Sequence, residues 1–183
     1  MNKKAVVITG AGSGLGREAA IELAKRGHSV IATTMYEKQA QEINTLANDR
    51  KIDLKSFKLD INLESDRNKL KELDFDVLIN NAAIGDSGSI SDISVDRIEN
   101  VFETNVFSNI KITQVALKNM IESKRGRVIF LSSLAGRISI PFLGPYCASK
   151  FAIEGFASSL RKEMKKLDDV NIQIGIIEPG AYA

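Results

Sequence analysis

Six short runs of apolar, often β-branched residues alternate with longer stretches of helical periodicity along almost the whole chain, and few folds accept that rhythm. The runs are residues 5–9, 29–33, 54–59, 76–80, 127–132 and 171–177. Several are rich in Val and Ile, as strands covered on both faces require. Between them, residues 15–26, 37–49, 64–73, 95–122 and 145–167 read as helices. In the first, Ala19, Ala20, Leu23 and Ala24 share one stripe and Gly27 follows as a stop signal. The long stretch 95–122 has a candidate break near Phe107, Ser108 and Asn109. Alternation of this kind implies parallel strands joined by crossovers, with helices on both faces of the sheet. The fold class is α/β, a doubly wound parallel sheet of strand order 3-2-1-4-5-6. With no linker, repeat or low-complexity tract, residues 1–183 read as a single domain.

That Rossmann-type topology forecasts where chemistry sits. Ligands of such sheets bind beyond the carboxyl ends of the strands, where the strand order reverses. Directly after the first run stands Thr9-Gly10-Ala11-Gly12-Ser13-Gly14-Leu15-Gly16. Glycines turn tightly and let backbone amides approach a pyrophosphate, and the helix that follows aims its positive end at the anion. A flexible glycine turn is the plainer alternative, but the strand-to-helix position favours a dinucleotide cofactor. After the fourth run comes Asn80-Asn81-Ala82-Ala83, whose amides can bond neighbouring strands while small alanines leave room for a ribose. A strand-end turn would explain it equally. Asp60 either contacts an adenine ring or caps its own turn.

The cofactor's phosphate state is set at the end of the second strand, where an acidic residue binds a ribose 2′-hydroxyl and a basic one favours a 2′-phosphate. Here the chain reads Ala32-Thr33-Thr34-Met35-Tyr36 and offers neither sign. The hydroxyls of Thr33 and Thr34, with Lys38 or Arg17 nearby, could hold a 2′-phosphate. NADP is favoured over NAD.

Tyr146-Cys147-Ala148-Ser149-Lys150 places Tyr and Lys four residues apart on one face at the start of a helix. A free phenol, with a pKa near 10, is a poor base at neutral pH. A nearby ammonium stabilises the phenolate, so the tyrosine can exchange a proton with a substrate oxygen. Ser132 and Ser133, ending the fifth strand, could hold the same oxygen. Tyr and Lys at this spacing also occur as ordinary surface packing.

Taken in order, these features resemble the short-chain dehydrogenase/reductase family, in its single-domain branch. The likeness spans the chain: TGxxxGxG from Thr9 to Gly16, an NNAG-like segment from Asn80 to Ala83, a helix asparagine, a strand-five serine, YxxxK, and Pro-Gly after strand six. It implies an NAD(P)-dependent oxidoreductase that interconverts an alcohol and a carbonyl. Tyr146 would be the acid/base. Lys150 would lower its pKa and bind the nicotinamide ribose, Ser133 would orient the carbonyl, and Asn105 would hold a proton-relay water near the lysine. Cofactor contacts would come from Gly10, Gly12, Ser13, Gly14, Leu15, Gly16, Thr34, Asp60, Ile61, Asn81, Ala82, Tyr146, Lys150, Pro179 and Gly180. The resemblance also implies a homodimer or homotetramer built on the helices of residues 95–122 and 145–167. Two departures stand out. Ala83 replaces the usual glycine of NNAG, and the chain ends at Ala183, where relatives continue with a substrate-covering loop, a helix and a further strand. The sequence therefore reads as part of a longer protein.

Charge and cysteine content exclude several other classes. A net charge of +2, with 25 basic and 23 acidic side chains scattered along the chain, offers no nucleic-acid stripe. The densest basic cluster, Ser123-Lys124-Arg125-Gly126-Arg127, reads as a solvated turn. A lone cysteine, Cys147, fits a reducing compartment and a packing role. The apolar run behind Lys3 and Lys4 is too short for a signal peptide, and no stretch reaches the length of a membrane span, so a cytoplasmic location is expected. The single histidine, His28, reads as a turn residue, and no cluster of metal ligands is present. The apolar stretch of residues 138–145 suggests a lipophilic alcohol or ketone, or simply a core-packed loop. A non-catalytic NAD(P)-binding sensor or scaffold on the same fold is the alternative function.

Overall fold

The computed structural model describes residues 2–180. Strands β1 (Ala5–Ile8), β2 (Ser29–Thr34), β3 (Leu54–Lys58), β4 (Val77–Asn80), β5 (Arg125–Leu131) and β6 (Asn171–Ile177) form one sheet of order β3-β2-β1-β4-β5-β6. Every neighbouring pair is parallel. Helices α1 (Gly14–Lys25), α2 (Glu37–Arg50), α3 (Glu64–Asn68), α4 (Val95–Phe102), α5 (Asn109–Glu122) and α6 (Gly144–Met164) supply the connections. The expected α/β class and strand order are those observed.

Side chains alternating along β1 divide the core in two. Val7 joins Leu78, Val128, Ile112, Met120 and Ile153 on the face covered by α5 and α6. Val6 and Ile8 join Ala20, Ile21, Val30 and Ile43 on the face covered by α1 and α2. Each Leu or Ile buried in this way contributes roughly 1.5–3 kcal/mol. Ile8 pairs with Ala32 on one side and Ile79 on the other, and Leu131 pairs with Ile177. The carboxyl ends of the central strands therefore finish at one level, and the loops leaving them share one edge. Among the described residues, no helix is long and apolar enough to cross a membrane.

Two helices differ from their sequence patterns. The segment 64–73 is helical only over Glu64–Asn68 and then tightens into a 3₁₀ turn, Lys69–Glu72, which drops Leu70 into the core. So short a helix cannot repay its nucleation cost by itself and follows its tertiary contacts. The stretch 95–122 keeps helical dihedrals throughout and does not break at residues 107–109. Instead Glu103–Ser108 adopts π-helical bonding between α4 and α5. The carbonyls displaced by that extra residue find a side-chain donor, because Asn109 Nδ2 reaches the Thr104 and Asn105 oxygens at 2.9 and 3.2 Å. A 3₁₀ turn over Leu134–Gly136 was not expected.

Candidate active site

The glycine loop is stitched to β4 by side chains that the sequence pattern alone does not connect. Thr9 Oγ1 accepts from the Asn81 and Ala82 amides, both at 3.1 Å. Asn81 Nδ2 donates back to the Thr9 and Gly10 carbonyls at 2.8 and 2.9 Å. Gly10 has φ +64°, and a methyl group there would lie 2.6 Å from Ala82 Cα, so glycine is required for both shape and space. Gly16 packs directly on the Asn81 amide. Ser13 precedes α1 without a capping side-chain bond, which leaves the first-turn amides free for an anion.

From this loop a cleft of about 500 Å³ runs along the carboxyl ends of the strands. Gly10, Ser13, Leu15 and Gly16 line one end, with Asp60, Ile61, Asn81 and Ala82 beside them. Ser133, Tyr146, Lys150, Pro179 and Gly180 line the other end. The volume is that of an ordinary small-ligand site. Asp60 and Ile61 are held by the pair that follows them in α3: Asp66 accepts from the Asp60 amide at 2.8 Å, and Arg67 donates to the Ile61 carbonyl at 2.7 Å. Burial pushes the Asp66 carboxyl up, but Lys69 at 2.6 Å, that amide and Lys58 outweigh it and hold it below its ordinary value. Ala83, where the resemblance expects glycine, is exposed in the cleft wall, so its methyl group displaces nothing.

At the reactive end, Tyr146 is half-buried near the start of α6, and Lys150 one turn later is only 4% exposed. Lys150 Nζ donates to the Leu131 carbonyl at 2.8 Å and lies 5.5 Å from the centre of the Tyr146 ring. Burial pushes its ammonium down to about 8. Ser133 Oγ accepts from the Ala135 amide at 3.1 Å; both Ser132 and Ser133 line the cleft, but the Ser132 hydroxyl is buried and has no partner among the described residues.

Four of the expected site residues, Thr34, Gly12, Gly14 and Asn105, stand outside the cleft lining. Thr34 is fully buried, and its hydroxyl donates to the Tyr36 carbonyl, so Met35 and not Thr34 lines the cleft. Thr33 is likewise buried, its hydroxyl bonded to the Ile8 carbonyl. Gly12 and Gly14 lie outside the cleft lining, Gly12 beneath the Gln39 side chain and Gly14 at φ +55° with open space above it. Asn105, 2% exposed within the π-helical turn, lies behind the cleft wall. Its amide exchanges two bonds with the Ile84 backbone and donates to Ser149 Oγ, which donates in turn to the Tyr146 carbonyl. Sequence reasoning missed Ser149 and Asn109 as supports. Asn109 Nδ2 also reaches the Ala82 carbonyl at 3.0 Å, and only the unusual density of Asn in this helix hints at it.

A family model described as short chain dehydrogenase matches residues 4–183. An uncharacterized oxidoreductase of Bacillus subtilis, YusZ, is 35% identical over 189 residues, covering 100% of this chain and 66% of its own length. Dehydrogenase/reductase SDR family member 7B of Xenopus laevis is 38% identical over 192 residues, covering 96% of this chain and 57% of its own. The chain thus spans about three fifths to two thirds of these relatives. Among solved structures, an actinorhodin polyketide ketoreductase bearing F189W, with NADPH, superposes with a TM-score of 0.91 at 25% identity, covering 97% of this chain and 70% of the other.

Proposed function

The chain belongs to the short-chain dehydrogenase family, and from that premise we propose that the whole protein interconverts an alcohol and a ketone or aldehyde at the Tyr146 end of the cleft. The observation that carries the proposal is one continuous cleft with the glycine loop at one end and Tyr146, Lys150 and Ser133 at the other. A nicotinamide dinucleotide fits these residues: the free amides at the start of α1 would hold its pyrophosphate, Asp60 and Ile61 its adenosine, and Lys150 and Pro179 its nicotinamide riboside. When bound, that cofactor supplies or accepts the hydride.

The chain's own residues manage the oxygen and its proton. In reduction, Ser133 Oγ donates to the substrate carbonyl while the Tyr146 hydroxyl gives it a proton; in oxidation Tyr146 takes the proton back. The Lys150 ammonium, beside the ring, stabilises the phenolate left behind. Asn105 and Ser149 act from behind, fixing the turn of α6 that carries both Tyr146 and Lys150.

The preferred dinucleotide is NADP. Met35, just past the end of β2, lines the cleft at the adenosine end, and neither it nor Tyr36 carries a carboxylate that would repel a 2′-phosphate. Arg17, half-buried one residue beyond Gly16, lies outside the cleft lining, and its buried Nε has no partner among the described residues. It replaces the threonine hydroxyls as the expected phosphate ligand. Leu134, Ile138, Ile140 and Phe142, exposed between Ser133 and Tyr146, support a lipophilic substrate. Titration of the full-length protein with NADPH and NADH, followed by nicotinamide fluorescence, tests the cofactor reading. Tighter NADPH binding that Arg17→Ala weakens by roughly tenfold supports it; equal affinities, or no binding of either nucleotide, contradict it.

A further inference from the structure

Three segments carry the reactive end of the cleft: the turn after β5 with Ser133, the first turns of α6 with Tyr146 and Lys150, and the segment after β6 with Pro179 and Gly180. One guanidinium joins all three. Arg137 follows the 3₁₀ turn behind Ser133, and its Nη2 lies 3.2 Å from Glu154 Oε2 on α6 and 2.7 Å from Glu178 Oε1, just before Pro179. A backbone bond from the Leu134 amide to the Pro179 carbonyl at 2.9 Å ties two of the same segments.

Glu154 sits one turn beyond Lys150 and is only 8% exposed, while its ion partner Arg137 and that residue's second acid, Glu178, face solvent. A carboxylate at such a place is costly unless paired, and an apolar side chain of similar size would pack at least as well. Packing alone therefore does not account for it. Gly136 lies against the same group: a methyl there would meet Ser132 Oγ at 2.6 Å and Glu154 Cγ at 3.3 Å. The Glu154 stem therefore packs against the turn that follows Ser132 and Ser133.

We propose that Glu154 is a positioning residue that, through Arg137 and Glu178, sets the gap between the Tyr146–Lys150 helix and the Pro179–Gly180 wall. In catalytic terms the proposal rests on the oxidoreductase reading; in structural terms it does not. Holding reacting groups to within about 1 Å is worth on the order of a hundredfold in rate, so a clasp outside the cleft has leverage inside it.

The test uses the full-length protein and the variants Glu178→Gln, Glu154→Gln, Arg137→Ala and Arg137→Lys. Hydrogen exchange at Leu134, binding of ADP, and kcat and KM are measured for each. Glu178→Gln changes an exposed side chain, so it carries the test should Glu154→Gln fail to fold. The expected result is faster exchange at Leu134 and a fall in kcat of roughly tenfold. ADP affinity should stay within about twofold, because the adenosine end lies away from the clasp. Arg137→Lys should recover most of the loss, and Glu154→Gln should add little in the Arg137→Ala background. Unchanged exchange at Leu134 in Glu178→Gln overturns the clasp. Faster exchange with unchanged kcat overturns the positioning role, as does an equal loss of ADP binding, which would mark a merely structural part. A wild-type protein that binds no nicotinamide dinucleotide would instead sink the oxidoreductase reading, while exchange at Leu134 still decides the clasp.

Discussion

Lys150 carries a positive charge to a place that disfavours it. Its ammonium is pushed to about 8 by burial, from an ordinary value of 10.5. Between those limits the unfolded chain binds more protons than the folded one, so stability rises with pH across about 8 to 10.5 and the full penalty is present below 8. Lys150→Met should therefore be more stable than wild type at pH 7, by at most about 3 kcal/mol, and the gap should close near pH 10.5; urea unfolding at the two pH values reads it. A gap that is flat with pH would contradict the burial account. The YxxxK spacing made Tyr146 and Lys150 legible in the sequence, because helical geometry alone puts them on one face. The burial of Lys150 was not legible, since β5 supplies the carbonyl it meets. Thr34 misled for a related reason: its type suits a phosphate, but its place on β2 turns the hydroxyl to the Tyr36 carbonyl.

At the scale of elements, the loop after β1 depends on the loop after β4. Gly10→Ala would force a side chain into positive φ and against Ala82, and should cost roughly 2–4 kcal/mol together with most of the dinucleotide affinity. Asn81→Ala removes two donated hydrogen bonds and should cost about 1–3 kcal/mol in denaturant unfolding, with a weaker loss of affinity. A Gly10→Ala protein of unchanged stability would contradict the strain argument. Strand and helix order were readable because period and length separate them cleanly. The π-helical turn was not, because one extra residue barely disturbs a 3.6-residue pattern. What fixes it is the bonding of Asn105 to Ile84, a residue of another loop.

The whole molecule is a sheet between two separate cores, and that separation is testable. Ile43 on α2 and Ile112 on α5 are both buried, on opposite faces. Each Ile→Ala change should cost roughly 2–5 kcal/mol, and the double variant should show the sum, because the two share no cavity. The doubly wound order followed from alternation alone, as did the edge where the cleft opens. Homo-oligomerisation through α4, α5 and α6 remains a proposal, supported by the exposure of Phe107 in the π-helical turn and of Phe151 and Phe156 on α6. The central claim is hydride transfer at the Tyr146 end of the cleft. Its most direct test gives the full-length protein and Tyr146→Phe a panel of lipophilic ketones and aldehydes with NADPH deuterated at the transferring C4 position. The account predicts deuterium on the carbinol carbon of the product, and a rate lower by roughly 10²–10⁴ in Tyr146→Phe with NADPH affinity little changed. Turnover that survives Tyr146→Phe at the wild-type rate, or product without the label, would contradict it.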